Sequence, residues 1–181
     1  MSRLAAEIAE MPARLLAAAA EGADGVGRAA ADWRRARPAL VMTVARGTSD
    51  AAATFAARQL AAEAGILTGS FTPSLASVGG FTHAGEGLRV LAISQSGASP
   101  DLRAAVEAFA PPTRWALTNA AGSPLEEAAA IRIPMGAGPE ESVAATKSFA
   151  CSLLQLQALA RALAGAAAPD PTAAAAGNRR S

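Results

Sequence analysis

The chain alternates short, unbroken apolar runs with longer stretches in which apolar residues recur every three or four positions. Residues 39–45 read Ala-Leu-Val-Met-Thr-Val-Ala, and residues 88–93 read Leu-Arg-Val-Leu-Ala-Ile. Runs of this kind are typical of strands that are buried on both faces, as in parallel sheets. Shorter runs lie near residues 67–72, 113–119 and 130–134. The pattern therefore predicts five strands.

The stretches between these runs carry helical spacing. Strands that alternate with helices imply βαβ crossovers and a parallel sheet. We therefore predict an α/β fold, a flavodoxin-like three-layer αβα sandwich around a five-stranded parallel sheet. The predicted helices are 2–20 (bent near Pro12), 26–36 after a break at 21–25, 48 to about 65, 101–109, a short one from 124, and 148–163, with a loop over 73–83.

Length and composition indicate one domain with short extensions. The chain has 181 residues, and 51% of them are apolar, enough for a substantial core. We expect N-terminal helices over residues 1–37 that pack on a domain of residues 38–165. Residues 166–181 are rich in Ala, Pro and Gly and lack an apolar period, which predicts a flexible tail or truncated linker.

Composition also narrows the function classes. The net charge of +1 and the absence of Tyr give no reason to expect a nucleic-acid partner. One cysteine, Cys151, excludes an internal disulfide, and it should pack as a small hydrophobe. The single histidine, His83, is expected in solvent, so no metal site and no cofactor are predicted. No apolar stretch suits a membrane span, and early carboxylates do not suit a signal peptide, so a cytoplasmic protein is expected.

The central feature is a hydroxyl-rich turn between the strand at 88–93 and the helix at 101–109. Residues 94–99 read Ser-Gln-Ser-Gly-Ala-Ser. The first turn of a helix at the carboxyl end of a parallel strand suits an anion, above all a phosphate. An ordinary serine-capped helix explains the same residues, so both interpretations stay open. The same holds for residues 47–49, Gly-Thr-Ser, after the first strand: Thr48 or Ser49 caps a helix, or their hydroxyls face the same site.

Four segments together resemble the sugar isomerase (SIS) domain in order and spacing. They are residues 46–49 (Arg-Gly-Thr-Ser), residues 94–97, Asn119 with 123–125, and 141–147 (Glu-Ser-Val-Ala-Ala-Thr-Lys). The resemblance covers about residues 4–165. It is nearest to the isomerase half of glucosamine-6-phosphate synthase and to stand-alone amino-sugar-phosphate deaminases and isomerases. It implies the SIS fold, a five-stranded parallel sheet between helices, which agrees with the strand count.

The resemblance implies a phosphosugar site without a metal or catalytic residue of its own. The hydroxyls and backbone of the 94–99 turn would hold the phosphate, the 48–49 hydroxyls would contact phosphate or sugar, and the last loop would line the sugar pocket. Lys147 either faces the site or lies on the surface, and a structural or indirect role is favoured. The implied substrate-binding residues are Thr48, Ser49, Ser94, Gln95, Ser96, Ser99, Val143 and Ala145, with Gly47, Gly97 and Lys147 as further candidates.

The resemblance also implies a missing catalytic half. Complete members of the group carry two such domains, and the second supplies the glutamate that acts as general base. This chain has no second copy of the pattern. Three hypotheses follow: the N-terminal half of an amino-sugar-phosphate isomerase or deaminase, a non-catalytic phosphosugar-binding regulatory or scaffold module, and a single-domain isomerase assembled across subunits. The expected partners are glucosamine 6-phosphate or fructose 6-phosphate, and a second copy of the chain or a second SIS half.

Overall fold

A computed structural model describes residues 2–142 and 144–177. The helices and strands alternate along most of the chain. In chain order they are α1 (Arg3–Ala36), β1 (Leu40–Val44), α2 (Thr48–Ala64), β2 (Leu67–Ser70), α3 (Ser74–Ser77), β3 (Leu88–Ser94), α4 (Pro100–Glu107), a 3-10 turn (Pro111–Thr113), β4 (Arg114–Thr118), α5 (Pro124–Glu127), β5 (Ile131–Pro134), α6 (Lys147–Leu163) and α7 (Pro171–Gly177).

The five strands form one parallel sheet in the order β2-β1-β3-β4-β5. This is the strand order of flavodoxin-like folds. All five predicted strands are present, and the predicted α/β class is confirmed. Because every strand runs the same way, the loops that leave β1, β3, β4 and β5 meet at one edge of the sheet.

Successive side chains on the central strand enter two different cores. Leu91 and Ile93 of β3 pack with residues of α1, α2 and α6 on one face of the sheet. Val90 and Ala92 pack with residues of α4 and with Phe109 on the other face. Helices therefore cover both faces, and the sheet is the middle of three layers.

The N-terminal segment is one helix rather than two, so the predicted break at residues 21–25 is wrong. α1 runs through Pro12 and through the glycines of this stretch. Gly22 and Gly25 are buried. A Cβ atom on Gly25 would lie 2.4 Å from the backbone oxygen of Arg132, and one on Gly22 would overlap the side chain of Gln155. These glycines let α1 approach β5 and α6 closely.

The C-terminal residues differ from their sequence prediction. Residues 171–177, predicted to lie in a flexible tail or truncated linker, form α7, which packs on α1. Asp170 accepts hydrogen bonds from Thr172, and Pro171 occupies the first helical position. Both features are favourable at the start of a helix.

The single histidine, His83, is half-buried rather than exposed, and the centre of its ring lies 6.0 Å from that of Phe109. Cys151 is fully buried as predicted, and burial raises the pKa of its thiol to about 11.

A buried ion pair fixes the C-terminal end of α1 to the start of β3. Asp32 accepts hydrogen bonds from Arg89 Nε at 2.5 Å, from Arg35 Nη2 at 2.6 Å and from the Trp115 indole at 3.3 Å. Burial alone would raise the pKa of Asp32, but the Arg89 guanidinium outweighs it and the pKa lies below its ordinary value. The side chain of Arg89 is only 2% exposed, so loss of Asp32 would leave a buried positive charge without its carboxylate partner.

Among the helices of residues 2–142 and 144–177, none combines the length and apolar character that crossing a membrane requires.

The α1 glycines can be tested by alanine substitution. We expect Gly25→Ala to lower the free energy of unfolding by about 1–3 kcal/mol, because the new methyl group meets backbone atoms that cannot move aside cheaply. Gly27→Ala on the same helix is the matched control, since a Cβ atom there meets nothing within 4 Å. This control substitution should raise the free energy of unfolding by about 0.5–1 kcal/mol, because alanine is more favourable than glycine inside a helix. Urea denaturation measures both, and an unchanged Gly25→Ala protein would contradict the close-packing interpretation.

Candidate functional site

A cavity of about 190 Å³ lies at the carboxyl edge of the sheet, between the loops after β1 and β3 and the segment that joins β5 to α6. This is the edge where ligands bind in open α/β sheets. Within the described residues the lining is Arg46, Thr48, Ser49, Gln95, Met135, Glu140, Ser142, Ala145, Ser148, Phe149 and Ser152.

The loop after β1 is followed by two hydroxyl-bearing residues, Thr48 and Ser49. Gly47, at φ 55°, is the residue that caps α2, so neither Thr48 nor Ser49 acts as the cap. Both side chains line the cavity. In the described part of the chain, neither hydroxyl makes a hydrogen bond, which leaves both available to a ligand.

The three serine hydroxyls of the turn after β3 each make a hydrogen bond within the turn or to the start of α4. Ser94 is buried and accepts a hydrogen bond from the Gly97 N–H at 3.1 Å. Ser96 is exposed and accepts one from the Ala98 N–H at 3.3 Å. Ser99 precedes α4 but donates to Asp101 Oδ1 at 2.6 Å. The serine oxygens thus order the turn themselves.

Gly97 shapes this turn through its own packing. Its φ is +60°, and a Cβ atom there would lie 2.1 Å from Ser123 Oγ. Its carbonyl accepts a hydrogen bond from the Leu125 N–H at 3.0 Å. The turn is therefore seated on the start of α5, and glycine is required there whether or not a ligand approaches.

The sequence-predicted residues divide into two groups. Thr48, Ser49, Gln95 and Ala145 line one cavity. The lining found among the described residues does not include Ser94, Ser96, Ser99, Gly47, Gly97 or Lys147, and Val143 lies outside the described residues.

Lys147 is buried, not on the surface. Its side chain is 2% exposed, and Nζ donates to Glu10 at 2.6 Å and to the Pro139 carbonyl at 2.7 Å. The amine thus joins α1 to the segment before α6. The structural or indirect role favoured from the sequence stays a prediction.

Glu140, which is not among the residues predicted from the sequence to bind substrate, lines the cavity. Its Oε1 accepts from the Thr146 N–H at 2.9 Å and the Ser148 N–H at 3.2 Å, and its Oε2 from the Ser148 hydroxyl. Burial alone would raise the pKa of Glu140, but these hydrogen bonds outweigh it and hold the pKa below its ordinary value. The carboxylate therefore caps the N-terminus of α6 and is poorly suited to accept a proton.

Two serines of α6 and an arginine were also missed. Ser148 and Ser152 are one turn apart in α6, a spacing that could have indicated a polar stripe on this helix. Arg46 was seen only as part of a motif. Asn119, another motif residue, holds the segment between β5 and α6: it donates to the Gly138 carbonyl and accepts from the Ala137 N–H, both at 2.8 Å.

Comparison with protein families gives the affiliation directly. The family model of the SIS domain matches residues 38–162. The chain belongs to the SIS domain family. The three cavity-lining residues Thr48, Gln95 and Ala145 all lie inside the matched residues. No curated protein matches the chain.

Solved SIS structures resemble this chain over part of their length. A candidate phosphosugar isomerase from Silicibacter pomeroyi is 36% identical, with a TM-score of 0.89 over 99% of this chain and 57% of its own. The C-terminal domain of glucosamine-fructose-6-phosphate aminotransferase from Francisella tularensis is 21% identical, with a TM-score of 0.72 over 98% of this chain and 52% of its own. The Vibrio vulnificus NanR protein, complexed with ManNAc-6P, is 19% identical, with a TM-score of 0.61 over 83% of this chain and 60% of its own. This chain thus spans about half the length of its first two relatives.

In the described residues, no group of three or more His, Cys, Asp or Glu side chains is placed to hold a metal ion.

The cap formed by Glu140 predicts a pH-dependent contribution to stability. Because the folded pKa is lowered, the stabilisation is fully present above the ordinary carboxyl pKa of 4.5 and is lost as the pH falls through the folded pKa. We expect Glu140→Gln to lower the free energy of unfolding at pH 7 by about 1–3 kcal/mol, with the difference shrinking below pH 4.5.

Glu141→Gln is the matched control for this experiment, since Glu141 pairs with Arg3 in solvent, with side chains 65% and 69% exposed. Such a surface pair contributes little. Equal losses for the two variants in urea denaturation at several pH values would contradict the cap.

Proposed function

We propose that this chain binds a hexose or hexosamine 6-phosphate, and that it is the N-terminal SIS half of an aldose–ketose isomerase or deaminase of amino-sugar phosphates. The observation that carries the proposal is the cavity at the carboxyl edge of the sheet, lined by Thr48, Ser49 and Gln95 beside the turn that starts α4. Uncharged hydroxyl and amide donors suit both phosphate oxygens and sugar hydroxyls.

The relatives support a sugar phosphate as the class of ligand. One solved SIS neighbour is complexed with ManNAc-6P, and another is a domain of an aminotransferase whose name includes fructose 6-phosphate. The 36% identical neighbour is described as a candidate phosphosugar isomerase. The natural substrate proposed here, glucosamine 6-phosphate or fructose 6-phosphate, belongs to this class.

The cavity supports a role in binding rather than in proton transfer. Aldose–ketose isomerisation needs a general base close to the C2 proton. Among the described residues that line the cavity, Glu140 is the only carboxylate, and both of its oxygens already accept hydrogen bonds. The base would therefore come from a second SIS half. A non-catalytic binding module fits the same observation, and the coding sequence beyond codon 181 separates the two.

Ligand binding can be measured by thermal unfolding with glucosamine 6-phosphate and fructose 6-phosphate. At about a hundred times its dissociation constant, a ligand adds about 2.7 kcal/mol of stability. We expect this gain for the unmodified chain and its loss in a Thr48→Val, Ser49→Ala double variant. Thr54→Val is the matched control, because its hydroxyl donates to the Asp50 carbonyl on the same helix, outside the cavity lining. No shift in a folded unmodified chain would contradict the proposal.

Catalysis can be tested separately. We expect little turnover of fructose 6-phosphate by this chain, because the cavity offers no proton acceptor that is free of hydrogen bonds among the described residues. Progress curves of aldose formation measure it. Turnover at an ordinary enzymatic rate, on the order of 1–1000 per second, would show that the chain assembles a complete active site.

A further inference from the structure

Arg46 lies between the cavity and the turn that starts α4. It follows β1, lines the cavity, and places its Nη2 atom 2.5 Å from Oδ2 of Asp101 in the first turn of α4. The Arg46 side chain is 59% exposed, whereas that of Asp101 is 21% exposed. Among the described residues that line the cavity, Arg46 is the only cation.

The charges around the cavity require such a cation if a phosphate binds there. A phosphate monoester carries about −1.5 to −2 charges at neutral pH. Glu140 in the cavity wall and Asp101 beside the turn are both carboxylates whose pKa lies below the ordinary value, so both are negative. The helix N-terminus contributes only about half a positive charge. Arg46 supplies the one full positive charge that the lining offers.

Asp101 already occupies donors that a phosphate would use. Its Oδ1 atom accepts the hydroxyl of Ser99 at 2.6 Å, and its Oδ2 atom pairs with Arg46. In the described part of the chain, Oδ2 is buried and makes no hydrogen bond of ordinary geometry despite its close contact with Arg46. The pair is therefore held by charge rather than by a well-directed hydrogen bond, and a better-placed anion can replace it.

We propose that Arg46 is the charged ligand of the phosphate group, and that in the free protein Asp101 holds Arg46 and Ser99 in place of that phosphate. When the sugar phosphate binds, the guanidinium turns from Asp101 to the phosphate oxygens and Ser99 donates to them as well. Asp101 stays in the first turn of α4, where a negative charge is favourable. This inference rests on the proposed function.

The alternative is that the Arg46–Asp101 pair only holds the two loops together. This alternative predicts the opposite change in binding affinity for one substitution. If Asp101 competes with the phosphate, Asp101→Asn frees Arg46 and tightens binding. If the pair only holds the loops in place, Asp101→Asn loosens the site and weakens binding. Arg46→Met weakens binding in both cases, so Asp101→Asn is the deciding variant.

The experiment is isothermal titration calorimetry of the whole chain with glucosamine 6-phosphate, and with glucosamine to isolate the phosphate contribution. We expect Arg46→Met to raise the dissociation constant about tenfold or more and to reduce its dependence on salt. Arg46→Lys should retain part of the affinity, because it keeps the charge but loses the bidentate geometry. Asp101→Asn should lower the dissociation constant severalfold, and should have no such effect when combined with Arg46→Met.

The matched controls are Arg103→Met and Glu107→Gln, which remove the exposed ion pair on the same helix α4 without touching the cavity lining. Both should bind as the unmodified chain does. Unmodified affinity in a folded Arg46→Met protein, or weaker binding by Asp101→Asn, would overturn the inference and leave the proposed function intact. An unmodified chain that binds neither glucosamine 6-phosphate nor fructose 6-phosphate would overturn both. Should Arg46→Met fail to fold, the change in the dissociation constant of Asp101→Asn alone decides between the two interpretations.

Discussion

The cavity depends on two carboxylates at the N-terminal end of α1. Glu7 accepts hydrogen bonds from the backbone of Glu141 at 2.7 Å and of Ser142 at 3.3 Å, and Glu10 pairs with the buried Lys147. The segment between β5 and α6 has no regular secondary structure over its described residues, yet it supplies one wall of the cavity. These contacts add to those that Asn119 and Glu140 make within the same region, so a helix from the start of the chain helps to shape a site that lies far from it in sequence.

The same helix is tied to the opposite edge of the sheet. At its C-terminal end, Asp32 binds Arg89, which lies where β3 begins. A helix of 34 residues is about 51 Å long, enough to run past the whole sheet. Its two ends can hold opposite edges only while the helix is continuous, and the close contacts at Gly22 and Gly25 keep its middle against α6 and β5. One rigid element therefore couples the buried ion pair to the cavity wall.

The sequence predicted the strands better than the side-chain partners. Five apolar runs identified five strands because burial on both faces requires such runs, and the family resemblance placed Thr48, Gln95 and Ala145 at one site. The glycines of α1 were misinterpreted as a break, because a glycine that permits a tertiary contact looks the same locally as one that ends a helix. The hydrogen bonds of Glu140 and Ser99 could not be predicted, because their partners depend on how loops fold in space.

Two of the helix N-termini beside the cavity, those of α4 and α6, have a carboxylate of the protein close to them. Glu140 caps α6, and Asp101 lies in the first turn of α4. In other anion sites such N-termini offer unpaired N–H groups. Here the internal carboxylates stabilise the loops without a ligand, and they also repel an incoming phosphate. A sugar phosphate that binds at the proposed site must offset this repulsion through Arg46, through the hydroxyls of Thr48 and Ser49 in the first turn of α2, and through contacts with its sugar. We therefore expect inorganic phosphate to bind the proposed site less tightly than a sugar phosphate, since an ion without a sugar meets the same repulsion with fewer compensating contacts.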